Sequence, residues 1–251
     1  MKDENLFNAL IELADDHSIL CHRLGEWCGH APILEEDLAL TNMALDLIGT
    51  ARNLYTYAAE IEGRGRSEDD LAYLRNERQF RNLLMVERPN GDFAHTMLRQ
   101  LFFAAFMEPY WQAALESRDE TLRGIAGKAL KEMGYHIRHA GEWVIRLGDG
   151  TEESAERMQA AMEALHIYVD ELFHSSPAAE AAAKAGLLPE RGALRTAWLE
   201  NITPILAEAR LELPEAPNPQ IGGRAGLHGE DLGHILCEMQ YLQRSHPGAT
   251  W

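Results

Sequence analysis

Apolar residues of the first sixty positions recur three or four apart, as in Leu6, Leu10 and Leu13. That is the spacing of one face of an α-helix. It predicts a first helix over about residues 4–26, stopped by GHAP at 29–32. A second helix follows over about 35–62, where Glu35, Glu36 and Asp37 suit the positive end of the helix dipole. Between residues 38 and 59 only Asp46 and Arg52 are charged, so the pattern predicts a central helix covered on nearly every side. Further on, helical patterning covers about 71–86, 92–117, 120–147, 153–174 and 194–211, and a last helix begins at Asp231. Its stripe is Leu232, Ile235, Leu236, Met239 and Leu242. Pro109 predicts a kink in the 92–117 helix, because proline removes a backbone donor. The turn-forming PNG at 89–91 and GDGT at 148–151 separate helices, and no run alternates in the manner of a strand.

The loop lengths imply a topology. Short loops make 4–26 and 35–62 antiparallel neighbours, and 92–117 and 120–147 likewise. The connection over 63–91 has the length of the long crossover in a ferritin-like bundle. The expected architecture is all-α: one ferritin-like helical bundle spanning 1–251, with additional C-terminal helices in an extension over 148–251.

Composition narrows the function classes. A formal net charge of −17 repels a phosphate backbone and an anionic membrane face. Neither a membrane-spanning run nor a basic, apolar leader stands in the sequence, so the expected location is the cytoplasm. Cys21, Cys28 and Cys237 are sparse and form no Cys-x-x-Cys, which reads as buried free thiols.

The candidate chemistry centres on KEMGYHIRHAGEW, residues 131–143. A bundle di-iron site takes a glutamate from each of two helices and Glu-x-x-His from each of two others. Here Glu132 has Tyr135 at the third position, and His136 comes one residue late. On the second helix the only central acid is Asp46, with Gly49 where the histidine would stand, and LFFAAFM at 101–107 offers no ligand. The first helix supplies Asp15 and Asp16. Too few donors converge for two irons, so Asp46 and Glu132 read as vestigial metal positions, with no metal and no catalytic residue expected in this chain. The plainer reading of residues 131–143 is a salt-bridged face built from four-residue pairs such as Lys128–Glu132. Asp46 then needs a basic partner, for which Lys128 or Lys131 is available.

Three blocks carry a family resemblance: RLGEWCGHAP (23–32), NERQFRNLLMVERPNGDFA (76–94) and GEDLGHILCEMQYLQRSHPGATW (229–251). They resemble the C subunits of ring-1,2-phenylacetyl-CoA epoxidases, the multicomponent monooxygenases of aerobic phenylacetate breakdown. The resemblance implies a ferritin-like paralogue of a di-iron A subunit. In it the metal site is dismantled, and the chain serves as a non-catalytic structural partner in a hetero-oligomer. It also implies that di-iron belongs to the A subunit, that NADPH electrons arrive through an iron–sulfur flavin reductase, and that small further subunits complete the system.

Two surfaces follow as expectations. Phe102, Phe103, Phe106, Pro109, Tyr110, Trp111, Tyr241 and Trp251 are candidates for a partner face. Arg75, Arg78 and Arg81, three apart on one side of a helix with Gln79 and Asn82, are candidates for an edge that touches coenzyme A. The competing expectation is a degenerate di-metal oxidase acting alone through Asp16, Asp46, Glu132 and His136.

Overall fold

A computed structural model describes residues 3–249. In chain order the helices are α1 (Glu4–Gly25), α2 (Leu34–Glu62), α3 (Glu68–Tyr73), α4 (Leu84–Glu87), α5 (Phe93–Ala114), α6 (Glu120–Gly148), α7 (Glu152–Leu165), α8 (Val169–Leu172), α9 (Pro177–Lys184), α10 (Arg195–Glu208) and α11 (Glu230–Ser245). No strand occurs among the described residues. The starts of the long helices are chemically marked. Asp3, Asp92 and Asp119 each accept a backbone N–H from the first turn of α1, α5 and α6, satisfying a donor that the helix leaves free. α11 starts at Glu230 after Gly229, one residue before the Asp231 cap that the pattern predicts.

The chain forms two compact units. The first comprises the chain up to Pro89, Ser176–Lys184, and the chain from Gly222 onward. In it α1 and α2 pack along each other, burying Leu10, Leu13, Leu20, Leu40, Leu47 and Leu54, while α9 and α11 pack on α1. Residues 71–86 do not form the single helix that the pattern predicts. α3 ends at Tyr73, a 3₁₀ turn covers Glu77–Gln79, and backbone that is extended at Phe80 leads to α4. α2 is not fully covered either. Leu34, Leu38 and Leu45 are 71%, 57% and 61% exposed.

The second unit is Asn90–Ser175 with Ala185–Ile221. α5 packs on α6, α7 and α10. Pro109 lies inside an α5 that is one continuous helix. Phe102, Phe103, Phe106, Tyr110 and Trp111 are all buried, as is Pro109. They therefore build this unit's core, which corrects their reading as a partner face. Tyr241 in the first unit is exposed, and Trp251 lies outside the described residues. Trp198 of α10 locks the core: its indole N–H donates to the Phe102 carbonyl at 3.0 Å, and its ring meets Phe102 and Phe173. Gly141 lets α10 approach α6, since a Cβ there would meet Ile205 Cδ1 at 2.9 Å. The thiols divide: burial pushes Cys21 up to about 12, whereas Cys28 and Cys237 are exposed rather than buried.

Trp198→Ala removes a fully buried ring, and the expected loss is about 3–5 kcal/mol of unfolding free energy by urea titration.

Candidate functional site

The first unit gathers its buried charges around two adjacent carboxylates on α1. Asp15 and Asp16 have no exposed surface. An isolated buried carboxylate is costly, so each must find a cation and hydrogen-bond donors. Asp15 accepts both terminal nitrogens of Arg75, the Tyr55 hydroxyl at 2.5 Å and the Arg81 backbone N–H at 2.7 Å. Asp16 accepts Arg224 Nη1 and Nη2 at 2.9 and 2.7 Å, and the Leu83 N–H at 2.7 Å. Each aspartate thus faces a guanidinium fork, the strongest geometry for such a pair. The guanidinium groups are further fixed by carbonyls. Arg75 donates to Leu71 and Gln79, while Arg224 donates to Glu12 and Arg81.

The local sequence explains the geometry. The N–H groups of Arg81 and Leu83 lie two residues apart, so both reach the same side of the segment and meet the two neighbouring aspartates. Gly226 has φ +75°, and a Cβ there would meet the Arg78 carbonyl oxygen at 2.6 Å, so only glycine brings the Arg224 loop this close.

A second cluster adjoins the first. Glu87 accepts Asn82 Nδ2 at 2.9 Å, the Gly229 N–H at 2.9 Å and His228 Nδ1 at 2.7 Å. His228 Nε2 lies 3.0 Å from the Phe80 carbonyl. Both ring nitrogens therefore face acceptors, the arrangement that an imidazolium satisfies. Burial pushes the His228 pKa down, but the hydrogen bond and charge of Glu87, with the Phe80 carbonyl, outweigh it and raise the net value. Burial and the Asp15 charge raise Tyr55 well above its ordinary range, so it stays a phenol that donates. For Arg75 burial favours proton loss, but Asp15 and Tyr55 prevail and its pKa is raised.

This placement corrects the coenzyme A edge. Arg75, Arg78 and Arg81 do not share a helix face, because α3 has ended before Arg75. Arg75 and Asn82 are buried and bound to Asp15 and Glu87. Gln79 caps the Asn76 N–H, and Arg81 Nη1 binds the carbonyls of Arg78 and Phe80. Arg78 alone of the five is exposed with a guanidinium that has no partner among the described residues. It lines a groove of about 600 Å³ with Leu236, Tyr241 and Arg244.

The same atoms bear on the metal reading. Both oxygens of Asp16 are occupied by Arg224, and a dication there would meet that guanidinium. Asp46 is half-buried on α2. In the second unit Lys128 approaches Glu132 at 3.5 Å within α6, and His136 Nδ1 lies 3.0 Å from Gln100 Nε2. No group of three or more His, Cys, Asp or Glu side chains among the described residues is arranged to hold a metal ion. The donors present do not fit a di-metal centre. The arginine clamps themselves leave no mark in the sequence, since Arg224 lies 208 positions from Asp16 and no periodicity links them.

The family model described as "Phenylacetic acid catabolic protein" matches residues 1–251, and the chain belongs to this ferritin-like helical family. Among curated proteins it is 47% identical to the C subunit of the 1,2-phenylacetyl-CoA epoxidase of Escherichia coli K12, over 96% of this chain and 97% of that protein. No helix among the described residues is long and apolar enough to cross a membrane.

Two measurements check the network. Asp16→Ala leaves the buried Arg224 with only the more distant Glu12 carboxylate, 3.8 Å from its Nε, and is expected to cost on the order of 3 kcal/mol in denaturant unfolding, whereas a loss below about 1 kcal/mol contradicts the clamp. His228 has a folded-state pKa above the ordinary 6.5, so its contribution is complete below 6.5 and is lost as pH rises through the folded value. Stability followed upward from pH 6 should decline by this contribution, and His228→Gln should remove that part of the decline.

Proposed function

We propose that this chain is the non-catalytic structural subunit of a multicomponent di-iron monooxygenase that epoxidises the ring of phenylacetyl-CoA. Its role is to scaffold and stabilise a catalytic paralogue, the A subunit, in a cytoplasmic hetero-oligomer. The carrying observation is the occupation of Asp15 and Asp16 by Arg75 and Arg224. The carboxylates that a ferritin-like helix could offer to metal are spent on cations of the chain itself. The name of the Escherichia coli relative, which describes part of an epoxidase, supports membership of a complex. In this reading the di-iron centre of the A subunit supplies the oxygen chemistry, and NADPH electrons reach it through the iron–sulfur flavin reductase. This chain contributes folded surface.

Any contact with the CoA thioester reduces to Arg78 at the rim of its groove. Guanidinium suits phosphate geometry, and this one is free to turn toward a phosphate.

The chain is mixed with its di-iron paralogue and reductase, and complex formation, iron content and epoxidation are followed together. The expected result is a stable complex whose iron belongs to the paralogue, with epoxidation that falls when this chain is omitted. Stoichiometric iron in this chain purified alone, with oxidase activity lost on changing Asp16 or His136, would reverse the assignment. In the assembled complex Arg78→Ala should raise KM for the CoA thioester and leave Tm unchanged; an unchanged KM removes Arg78 from the substrate edge.

A further inference from the structure

α2 is apolar on two faces, and the described residues pack against only one of them. Leu40, Met43, Leu47, Ala51 and Leu54 are buried on one side. At about 100° per residue, Leu34, Leu38 and Leu45 fall within roughly 40° of arc on the opposite side. Single exposed leucines are ordinary. Three of them, each more than half exposed, along one arc of about 16 Å are not. Thr41 and Gly49 lie on or beside the same arc, so the leucines stand as knobs with low positions between them. A partner helix packs on such relief by placing its own ridge in the gaps.

The rim decides what covers the face. From residue 24 to residue 51 the chain has no Lys or Arg, whereas Glu35, Asp37 and Asp46 flank the leucines, and Arg52, on the same arc two turns past Leu45, is paired with Glu68 at 3.2 Å. Glu35 is exposed, and Asp37 accepts the Gly29 N–H at 2.6 Å. A second copy of the chain would set acid against acid, each copy with net charge −17. An apolar helix flanked by Lys or Arg has the opposite pattern.

We propose that the Leu34–Leu38–Leu45 face of α2 is the docking seam for an apolar, basic-flanked helix of the catalytic paralogue. This rests on the reading of the chain as a structural subunit, and it adds where the partner binds and what chemistry binds it. The apolar seam provides the contact, and the acidic rim selects the partner and orients it.

The test uses the full-length chain and the purified di-iron paralogue, with Kd measured by calorimetry and folding by thermal melt. Leu38→Lys/Leu45→Lys should weaken binding by roughly 100-fold with Tm unchanged. Leu38→Gln/Leu45→Gln tests the apolar loss without added charge and should also weaken binding. Glu35→Lys should weaken it several-fold through the rim. Leu199→Lys, at an exposed leucine of α10, should bind as the unaltered chain does. If the unaltered chain binds and both double variants bind equally well, the seam lies elsewhere, and the structural-subunit reading stands. If the unaltered chain does not bind the paralogue, that reading itself fails. A self-dimer of the unaltered chain that the double variants dissolve would replace the paralogue with a second copy and overturn the proposal.

Discussion

Two neighbouring aspartates buried in one helix set the terms for the first unit. Adjacent carboxylates without solvent repel each other and lose hydration, and a protein can accept them only by surrounding them with positive charge and hydrogen-bond donors. A metal ion is one solution. This chain uses two arginines, one from the segment after α3 and one from the loop before α11, with the N–H groups of Arg81 and Leu83 completing the coordination. Because those arginines come from distant parts of the chain, satisfying Asp15 and Asp16 also fixes where residues 75–83 and 222–226 must lie.

The second cluster extends the same logic. Arg23 Nε and Nη2 hold the Glu87 carbonyl at 3.1 and 2.7 Å, while the Glu87 carboxylate takes His228 and the N–H that precedes α11. Gln240 and Arg244 of α11 then donate to the Arg75 carbonyl at 2.9 Å each. The result is a polar interior in which most buried groups are met by the chain's own, while Glu12 Oε2 and Asn82 Oδ1 accept no hydrogen bond among the described residues. Buried ion pairs of this kind add little net stability over an apolar core, but they penalise any other arrangement of the same segments.

The long helices are legible in the sequence because periodicity and caps act locally. The helix read over about 120–147 is α6, whose first turn donates the Leu122 N–H to Asp119. Residues 75–83 mislead for the opposite reason. Arginines three apart look like a helix face, but Asp15 lies 60 positions from Arg75, and that long-range demand overrides local propensity. α2 misleads in a more instructive way. Apolar residues all around the helix predict cover on nearly every side, whereas Leu34, Leu38 and Leu45 stand exposed in this chain. The shortage of metal ligands is read from spacing along single helices, whereas the arginines that pair with Asp15 and Asp16 come from distant positions that no spacing links.

The most direct test of the central claim is a crystal structure of this chain alone after equilibration with ferrous iron. Asp15 should remain bound to Arg75 and Tyr55, Asp16 should remain in the fork of Arg224, and no iron should lie between carboxylates. Anomalous density for iron coordinated by Asp16, with Arg224 displaced, would contradict it.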